Sequence, residues 1–487
     1  MLTTIMTSVK KEIINGVFWN AVAKYSGIIV QLGVTAILAR LITPEEFGVV
    51  AIATVLITFF SIFSDMGLGS AIIQRQDLTN KNYSSLYSFS IYLSVLLGLL
   101  FFIASYPIAS YYKNDELELI CQLLSLNLLF STLNLVPNAL ISKARRFKFI
   151  AKRTLFFQII GGIASSIAAL CGMGCYALLF APIISSIGVY IINMNQCSLK
   201  FNIVFDWSPI KKTFSYSFFL LIFNVFNYFT RNLDKLIIGK YFSMNELGYY
   251  DKSYRLMMLP LQQITSVISP VLHPVFAEFQ NDYKRLAHDY QKIVKFLACI
   301  SFPMGVFFYF GADNMIYILY GPNWMKAVPC FEILALSVPM QMIISTTGGI
   351  YAASGKTNWL FYAGCFHSVI TIIGFFLAAH YWNTIEAVAW AFVITMNIHT
   401  FISLFIIYKI IFKESYWPVI KVMLVPGGTA CILIIVLFGI DLIMHNHFFS
   451  LIIQGGICVI ITLVIIQFTH LYNLKEFYFK ILSKIKH

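Results

Sequence analysis

The chain has 487 residues, of which 59% are hydrophobic and only 11% charged, with a mean hydropathy of +0.79 and a formal net charge of +13. Soluble domains carry roughly 25% charged residues, so this composition excludes a soluble globule and predicts an all-α, polytopic membrane protein. A helix needs about 20 apolar residues to cross a bilayer, and on that scale fourteen candidate spans are legible.

The first, 15–39, follows Lys10 and Lys11 and is too long for the apolar stretch of a cleavable signal, so it reads as a span. Five more follow at 46–70, 83–106, 117–140, 154–171 and 175–194. A second set of six lies at 213–238, 247–273, 292–312, 328–350, 358–380 and 386–408, and two further spans at 419–440 and 449–469. The connectors, all under about 25 residues, leave no room for a catalytic domain. The expected organisation is an N-lobe at 1–200, a C-lobe at 201–412, and a pair of helices with a tail at 413–487. Pro137, Pro182, Pro260, Pro270 and Pro339 fall inside spans as candidate kinks.

Mapping the charge removes its resemblance to a nucleic-acid signal. If the N-terminus is cytoplasmic, 25 of the 34 Lys and Arg residues fall on that side, 5 on the other, and 4 within or at the edge of spans. This positive-inside bias predicts that both termini are cytoplasmic. The run Lys143-Ala-Arg-Arg-Phe-Lys148 with Lys152-Arg153 is expected to be a cytoplasmic topology anchor, with contact to anionic headgroups as the secondary reading.

The two sets of spans share a motif. Arg40-Leu-Ile-Thr-Pro-Glu-Glu-Phe-Gly48 reappears 200 residues later as Lys240-Tyr-Phe-Ser-Met-Asn-Glu-Leu-Gly248. Duplicated halves with polar faces in apolar helices are how secondary transporters build a central site. At 100° per residue, Asn20, Lys24, Gln31 and Thr35 of the first span share an arc of about 60°. On the seventh span, Asn224, Asn227, Tyr228, Arg231, Asp234 and Lys235 fall within about 120°. The offset aligns Lys24 with Asn224, Gln31 with Arg231 and Thr35 with Lys235. Span 2 adds Thr54, Thr58, Ser61 and Asp65, and span 8 adds Asp251, Arg255, Gln262, Ser266 and Ser269.

An ionised side chain deep in a bilayer costs from about 2.5 to above 10 kcal/mol, so these groups must face water, a partner or a ligand. Two readings stand side by side. Arg231 with Asp234, and Asp251 with Arg255, are spaced to pair on one helix face. Alternatively Lys24, Arg231, Lys235 and Arg255, with Gln31 and Asn224, line a cationic cavity that binds an anion, and Asp65, Asp234 and Asp251 serve in pairing or gating. Phosphate suits such a cavity, because Arg offers a fork of donors and Lys a point charge.

Other features carry less. Cys171 and Cys175 flank a tight turn where packing is the reading preferred to a disulfide. His445-Asn-His447 reads as a solvated loop rather than a metal site, and His367, His380 and His399 as packing or interfacial residues rather than a proton relay. Gly349-Ile-Tyr-Ala-Ala-Ser-Gly-Lys-Thr357 has five residues between its glycines where a phosphate-cradling loop requires four. No metal, cofactor or catalytic constellation is expected.

Several stretches resemble a polysaccharide transporter of the multidrug/oligosaccharidyl-lipid/polysaccharide flippase superfamily, Wzx-type and similar to the O-antigen and colanic-acid group. They are Ala39-Arg-Leu-Ile-Thr-Pro-Glu-Glu-Phe-Gly48, Phe63-Ser-Asp-Met-Gly-Leu-Gly-Ser-Ala-Ile-Ile-Gln74 and Asn232-Leu-Asp-Lys-Leu-Ile-Ile-Gly-Lys240, with Leu247-Gly-Tyr-Tyr250, His273-Pro-Val-Phe276, Tyr320-Gly-Pro-Asn-Trp324 and Ala353-Ser-Gly-Lys356. The likeness runs from about residue 15 to 410 and fades over the last two spans. It implies a MATE-like fold of two six-helix lobes working by alternating access in the bacterial inner membrane. The implied cargo is an undecaprenyl-diphosphate-linked oligosaccharide, flipped from the cytoplasmic to the periplasmic leaflet for surface polysaccharide assembly. Membrane lipid, a polysaccharide polymerase and chain-length machinery are the implied company of a monomer, with no nucleic acid. Two rival readings remain: an ion-coupled drug or organic-cation antiporter, which should have an acidic cavity, and a membrane-embedded polymerase, which should carry a large outer loop with catalytic side chains.

Overall fold

The computed structural model describes residues 2–469 apart from 66, 204–205, 280–281 and 445. The tail lysines, His445 and the side chains of Lys10, Lys11, Ser269 and His273 lie outside the described residues. A bilayer offers no water to backbone amides, so a spanning chain must satisfy them within each segment. Accordingly, the described residues form helices and no strands. In chain order these are α1 (Leu2–Leu41), α2 (Pro44–Gln74), α3 (Asn80–Tyr112), α4 (Glu116–Lys143), α5 (Phe147–Leu170), α6 (Gly174–Met194) and α7 (Ser208–Tyr241). Then come α8 (Met244–Glu278), α9 (Tyr283–Phe310), the bent α10 (Pro322–Ala335 with Val338–Ala353), α11 (Thr357–Tyr381), α12 (Ile385–Ile411), α13 (Trp417–Asp441) and α14 (His447–Phe468). A short helix, Ala312–Tyr320, precedes α10 where only a connector was expected.

Eleven of these are long and apolar enough to cross a membrane, α1 through Phe18–Leu41, and a twelfth joins them if the two arms of α10 make one span. The other two of the fourteen expected crossings fall on α7 and α8. At 34 and 35 residues both are long enough, but the charged and amide side chains of their polar faces dilute them. Among the described residues, apolar length therefore supports eleven to twelve crossings.

Two prolines break their helices as their chemistry requires. The pyrrolidine ring supplies no N–H and collides with the carbonyl four residues earlier. The first arm of α4 ends at Leu133, four before Pro137, and the first arm of α10 ends at Ala335, four before Pro339, with a bend of 51°. Pro182, Pro260 and Pro270 instead lie within helices that continue past them. α2 breaks without proline, at Gly67, whose φ of +74° suits a residue lacking a Cβ.

The chain forms two compact units, residues 1–248 with 319–323, and residues 249–318 with 324–487. In the first, α4 packs on α3, α5 packs on α6 and α1, and α2 packs on α4 and α7. The second arm of α2 sits on a small core of Leu68, Ile72, Leu86, Tyr87, Val136 and Ala139. Lys143 Nζ donates to the Ile72 carbonyl at 2.9 Å and also to the Arg75 carbonyl, so a lysine of the basic run closes a helix end. In the second unit, α9 is flanked by α10, α13 and α14, and α11 packs on α12. The last two helices seat on α9 through Val306, Ala430, Leu433, Leu437 and Cys458. His447 departs from its reading as a solvated loop residue: it stacks on Tyr317 with ring centroids 4.1 Å apart, and its Nδ1 lies 3.2 Å from Asp313 Oδ2. His367 and His399 stack between α11 and α12 at 4.2 Å. Cys171 and Cys175 are both free thiols.

The repeated motif folds the same way twice. The Thr43 amide and hydroxyl both donate to Glu46 Oε2 at 2.8 Å, and the Glu46 amide donates back to Thr43 Oγ1 at 3.4 Å. In the second copy the Ser243 amide and hydroxyl donate to Glu246 Oε2 at 2.9 and 3.0 Å, and the Glu246 amide returns the bond at 3.2 Å. These are capping boxes, each satisfying amides that a helix start leaves free. The copies also touch one another. Gly48 lies against the Met244 carbonyl and Gly248 against the Pro44 carbonyl, so closely that a Cβ at either position would overlap an oxygen. Asn245 Nδ2 donates to Glu45 Oε2 at 3.3 Å. Because Gly48 meets Met244 as Gly248 meets Pro44, and Glu45 meets its own counterpart Asn245, the contact is reciprocal, as a two-fold axis demands.

Candidate functional site

From this seam, α2 and α7 run antiparallel side by side. Gly239 leaves room for Ile52, the Tyr228 hydroxyl donates to the Val55 carbonyl, and the Phe59 ring lies 4.9 Å from that of Phe229. Thr54, Thr58 and Ser61 donate their hydroxyl protons to carbonyls of their own helix at 2.7 Å, which removes the need for other acceptors. Where α2 breaks, the two helices part and leave a cavity of about 400 Å³. α2 contributes Ser61, Ile62, Asp65, Gly67 and Ser70. α7 contributes Leu221, Asn224, Asn227, Tyr228 and Arg231.

Of the nine side chains singled out by sequence, this cavity brings together Asp65, Asn224 and Arg231. All three are exposed to it, and among the described residues none of them makes a side-chain hydrogen bond or ion pair. Lys24 is half-buried and Gln31 exposed on α1, and neither is a lining residue. Asp234 and Lys235 continue the α7 stripe toward the seam but are buried, with Asp234 Oδ1 accepting the Lys235 amide at 2.8 Å. Asp251 and Arg255 belong to the second unit, where Arg255 Nε meets Asp251 Oδ2 at 2.6 Å. That is the one-turn pairing their spacing allowed.

Gly67 and Ser70 were not singled out as site residues. Their signal is the Gly67-Leu-Gly69 sequence directly after a polar stripe, which marks the end of one helix and the turn into another. Chemically, the cavity offers one forked cationic donor, one carboxylate, two amides and three hydroxyls in a space of the size that holds small ligands. These groups suit binding.

Known proteins place this architecture. Residues 37–329 match the family described as polysaccharide biosynthesis protein. The chain is similar to the teichuronic acid biosynthesis protein TuaB of Bacillus subtilis (25% identity over 449 residues, 91% of this chain and 92% of that one). It is also similar to the lipopolysaccharide biosynthesis protein WzxC of Escherichia coli (22% over 455 residues, 90% of each). Among solved structures, the lipid II flippase MurJ in an inward closed conformation shares the fold, with a TM-score of 0.72 at 17% identity over 93% of this chain and 99% of that one. The chain therefore belongs to the polysaccharide biosynthesis protein family, as a multi-pass membrane protein.

Proposed function

We propose that this protein is a flippase that carries an undecaprenyl-diphosphate-linked oligosaccharide repeat unit from the cytoplasmic to the periplasmic leaflet of the bacterial inner membrane. The observation that carries this reading is Arg231, which has no hydrogen-bond or ion-pair partner among the described residues and stands in a hydroxyl- and amide-lined cavity between α2 and α7. Keeping an arginine at membrane depth costs several kcal/mol unless water or an anion attends it, and a diphosphate matches the guanidinium fork. The named roles of the similar proteins, in teichuronic acid and lipopolysaccharide biosynthesis and in lipid II flipping, support the same cargo class.

Both termini are cytoplasmic in this reading, from the 25-to-5 basic asymmetry. The seam then closes the periplasmic end of the first unit and the break in α2 faces the cytoplasmic side. The protein, a monomer of two six-helix lobes at 1–200 and 201–412, alternates between inward- and outward-open states. Within the first unit, Lys24 and Lys235, with Gln31, extend the anion path, while Asp234 orients its cations. The lipid tail stays in the bilayer throughout, and an ion gradient or the onward flow of cargo to a polymerase and its chain-length machinery supplies the drive.

The test is complementation of a flippase-deficient strain, with surface glycan scored against protein abundance. The Lys24→Ala, Arg231→Ala double variant is expected at normal abundance with glycan lost, and Lys24→Arg is expected to retain part of it. Full glycan display by the double variant would overturn the reading. A second reading, an organic-cation antiporter, is favoured by Asp65 in the same cavity; it requires cation efflux that disappears with Asp65→Asn while glycan display is untouched.

A further inference from the structure

The cavity holds two opposite charges that do not satisfy each other. Arg231 and Asp65 both line it, and neither is engaged by another described side chain. A diphosphate explains Arg231 but not Asp65, since a carboxylate beside an anion repels it. Asp65 must serve a part of the cargo that donates hydrogen bonds and carries no negative charge.

Position separates the two groups. α2 and α7 run antiparallel, with Ile52 beside Gly239 and Phe59 beside Phe229, so Asp65, further along α2, lies level with the Leu221–Asn224 end of the α7 lining. Arg231 stands at the other end. Seven residues separate Asn224 from Arg231, about 10 Å along the axis, enough to seat one sugar ring beside a phosphate. Around Asp65 the lining is Ser70, Asn224 and Asn227, which can both donate and accept, and Ser61, whose proton is held by the Thr58 carbonyl and whose oxygen accepts. A carboxylate takes two adjacent hydroxyl protons at once, and amides and serines complete the mixed donor–acceptor set that a pyranose presents.

We infer that the cavity is divided into a phosphate end at Arg231 and a sugar-reading end at Asp65, Asn224, Ser61 and Ser70, and that Asp65 sets preference for the sugar attached directly to the diphosphate. This deepens the flippase reading and rests on it. Because Asp65 is exposed to the cavity and engages no described neighbour, replacing it leaves the fold intact.

Binding to the full-length protein in lipid nanodiscs tests this with two probes: farnesyl diphosphate, and the tightest-binding of farnesyl-diphospho-glucose, -galactose and -N-acetylglucosamine. Arg231→Ala should weaken both probes by about tenfold or more, the loss expected for a charged hydrogen bond. Asp65→Asn should leave farnesyl diphosphate binding undiminished, weaken the best glycosylated probe by about tenfold, and flatten the preference among the three sugars. Asn224→Ala should act in the same sense, more weakly. Equal changes for both probes in Asp65→Asn, or no change in either, would overturn the inference while leaving the flippase reading standing. Failure of the unaltered protein to bind either probe would instead overturn the flippase reading. Tetraphenylphosphonium binding that is lost in Asp65→Asn, with glycosylated-probe affinity unchanged, would overturn the inference in favour of a cation site.

Discussion

Two arginines of the first unit are employed in opposite ways. Arg153 on α5 is 7% exposed; it donates through Nη2 to Asn138 Oδ1 at 3.1 Å and through Nη1 to Asn193 Oδ1, and Asn193 Nδ2 donates on to Asn134 at 2.7 Å. One cation thereby clamps α4, α5 and α6 around the break in α4. Both of these partners are neutral amides. Arg231 on α7 is exposed to a cavity and makes no such bonds among the described residues. A cation whose donors are turned on its own protein is architecture, and a cation whose donors are left to the cavity is equipment for a ligand. Burial alone would separate the two; their hydrogen-bond partners say why.

The sharpest way to break this contrast is to remove each in turn. Arg153→Met strands the carbonyl oxygens of one buried amide, Asn193, and one half-buried amide, Asn138, and should cost about 2–4 kcal/mol, seen as a lower thermal midpoint and reduced abundance in the membrane. Arg231→Ala should leave both measurements near those of the unaltered protein and abolish transport. A shared loss of stability would erase the distinction. A second variant converts one kind of arginine into the other: Asn227→Glu places a carboxylate one turn before Arg231, where it can hold the guanidinium. Glycan export should fall about tenfold at unchanged abundance, and Asn227→Gln, which keeps the size and loses the charge, should fall much less. The smallest effects belong to the seam. Glu46→Ala and Glu246→Ala each remove one capping box and should each cost about 1 kcal/mol, equally for the two copies, with denaturant midpoints as the measure; an effect confined to one copy would show that only that box bears on stability.

Much of this was legible in the sequence, and the failures have physical reasons. Apolar length revealed the positions of the spanning helices, and the two breaking prolines were visible, although nothing local distinguishes Pro137 and Pro339 from Pro260 and Pro270, whose helices continue. Periodicity placed Asn224, Asn227 and Arg231 on one face of α7, because a helix fixes angles within itself. It said nothing about which neighbouring helix that face meets, so the cavity partner on α2 and the place of Lys24 and Gln31 outside its lining required the packed structure. The basic run read as a uniform anchor, yet Lys143 and Arg153 turn inward while Arg145, Arg146, Lys148 and Lys152 are exposed; a topological rule counts charges and cannot sort them. The capping boxes were not singled out, although Thr43-Pro-Glu-Glu46 and Ser243-Met-Asn-Glu246 carry the spacing that marks them.

The reciprocal seam also shows what one continuous polypeptide permits that two identical ones do not. In an assembly of identical halves, a residue on the symmetry axis must face itself: a glutamate would confront a glutamate and repel it, and an asparagine would confront an asparagine. Here the two faces are encoded separately, and the axis is occupied by Glu45 and Asn245, an acceptor and a donor joined at 3.3 Å. Linkage has freed the two copies to become complementary rather than alike, while the glycines that let the backbones approach, Gly48 and Gly248, are the same in both because no side chain fits on either side.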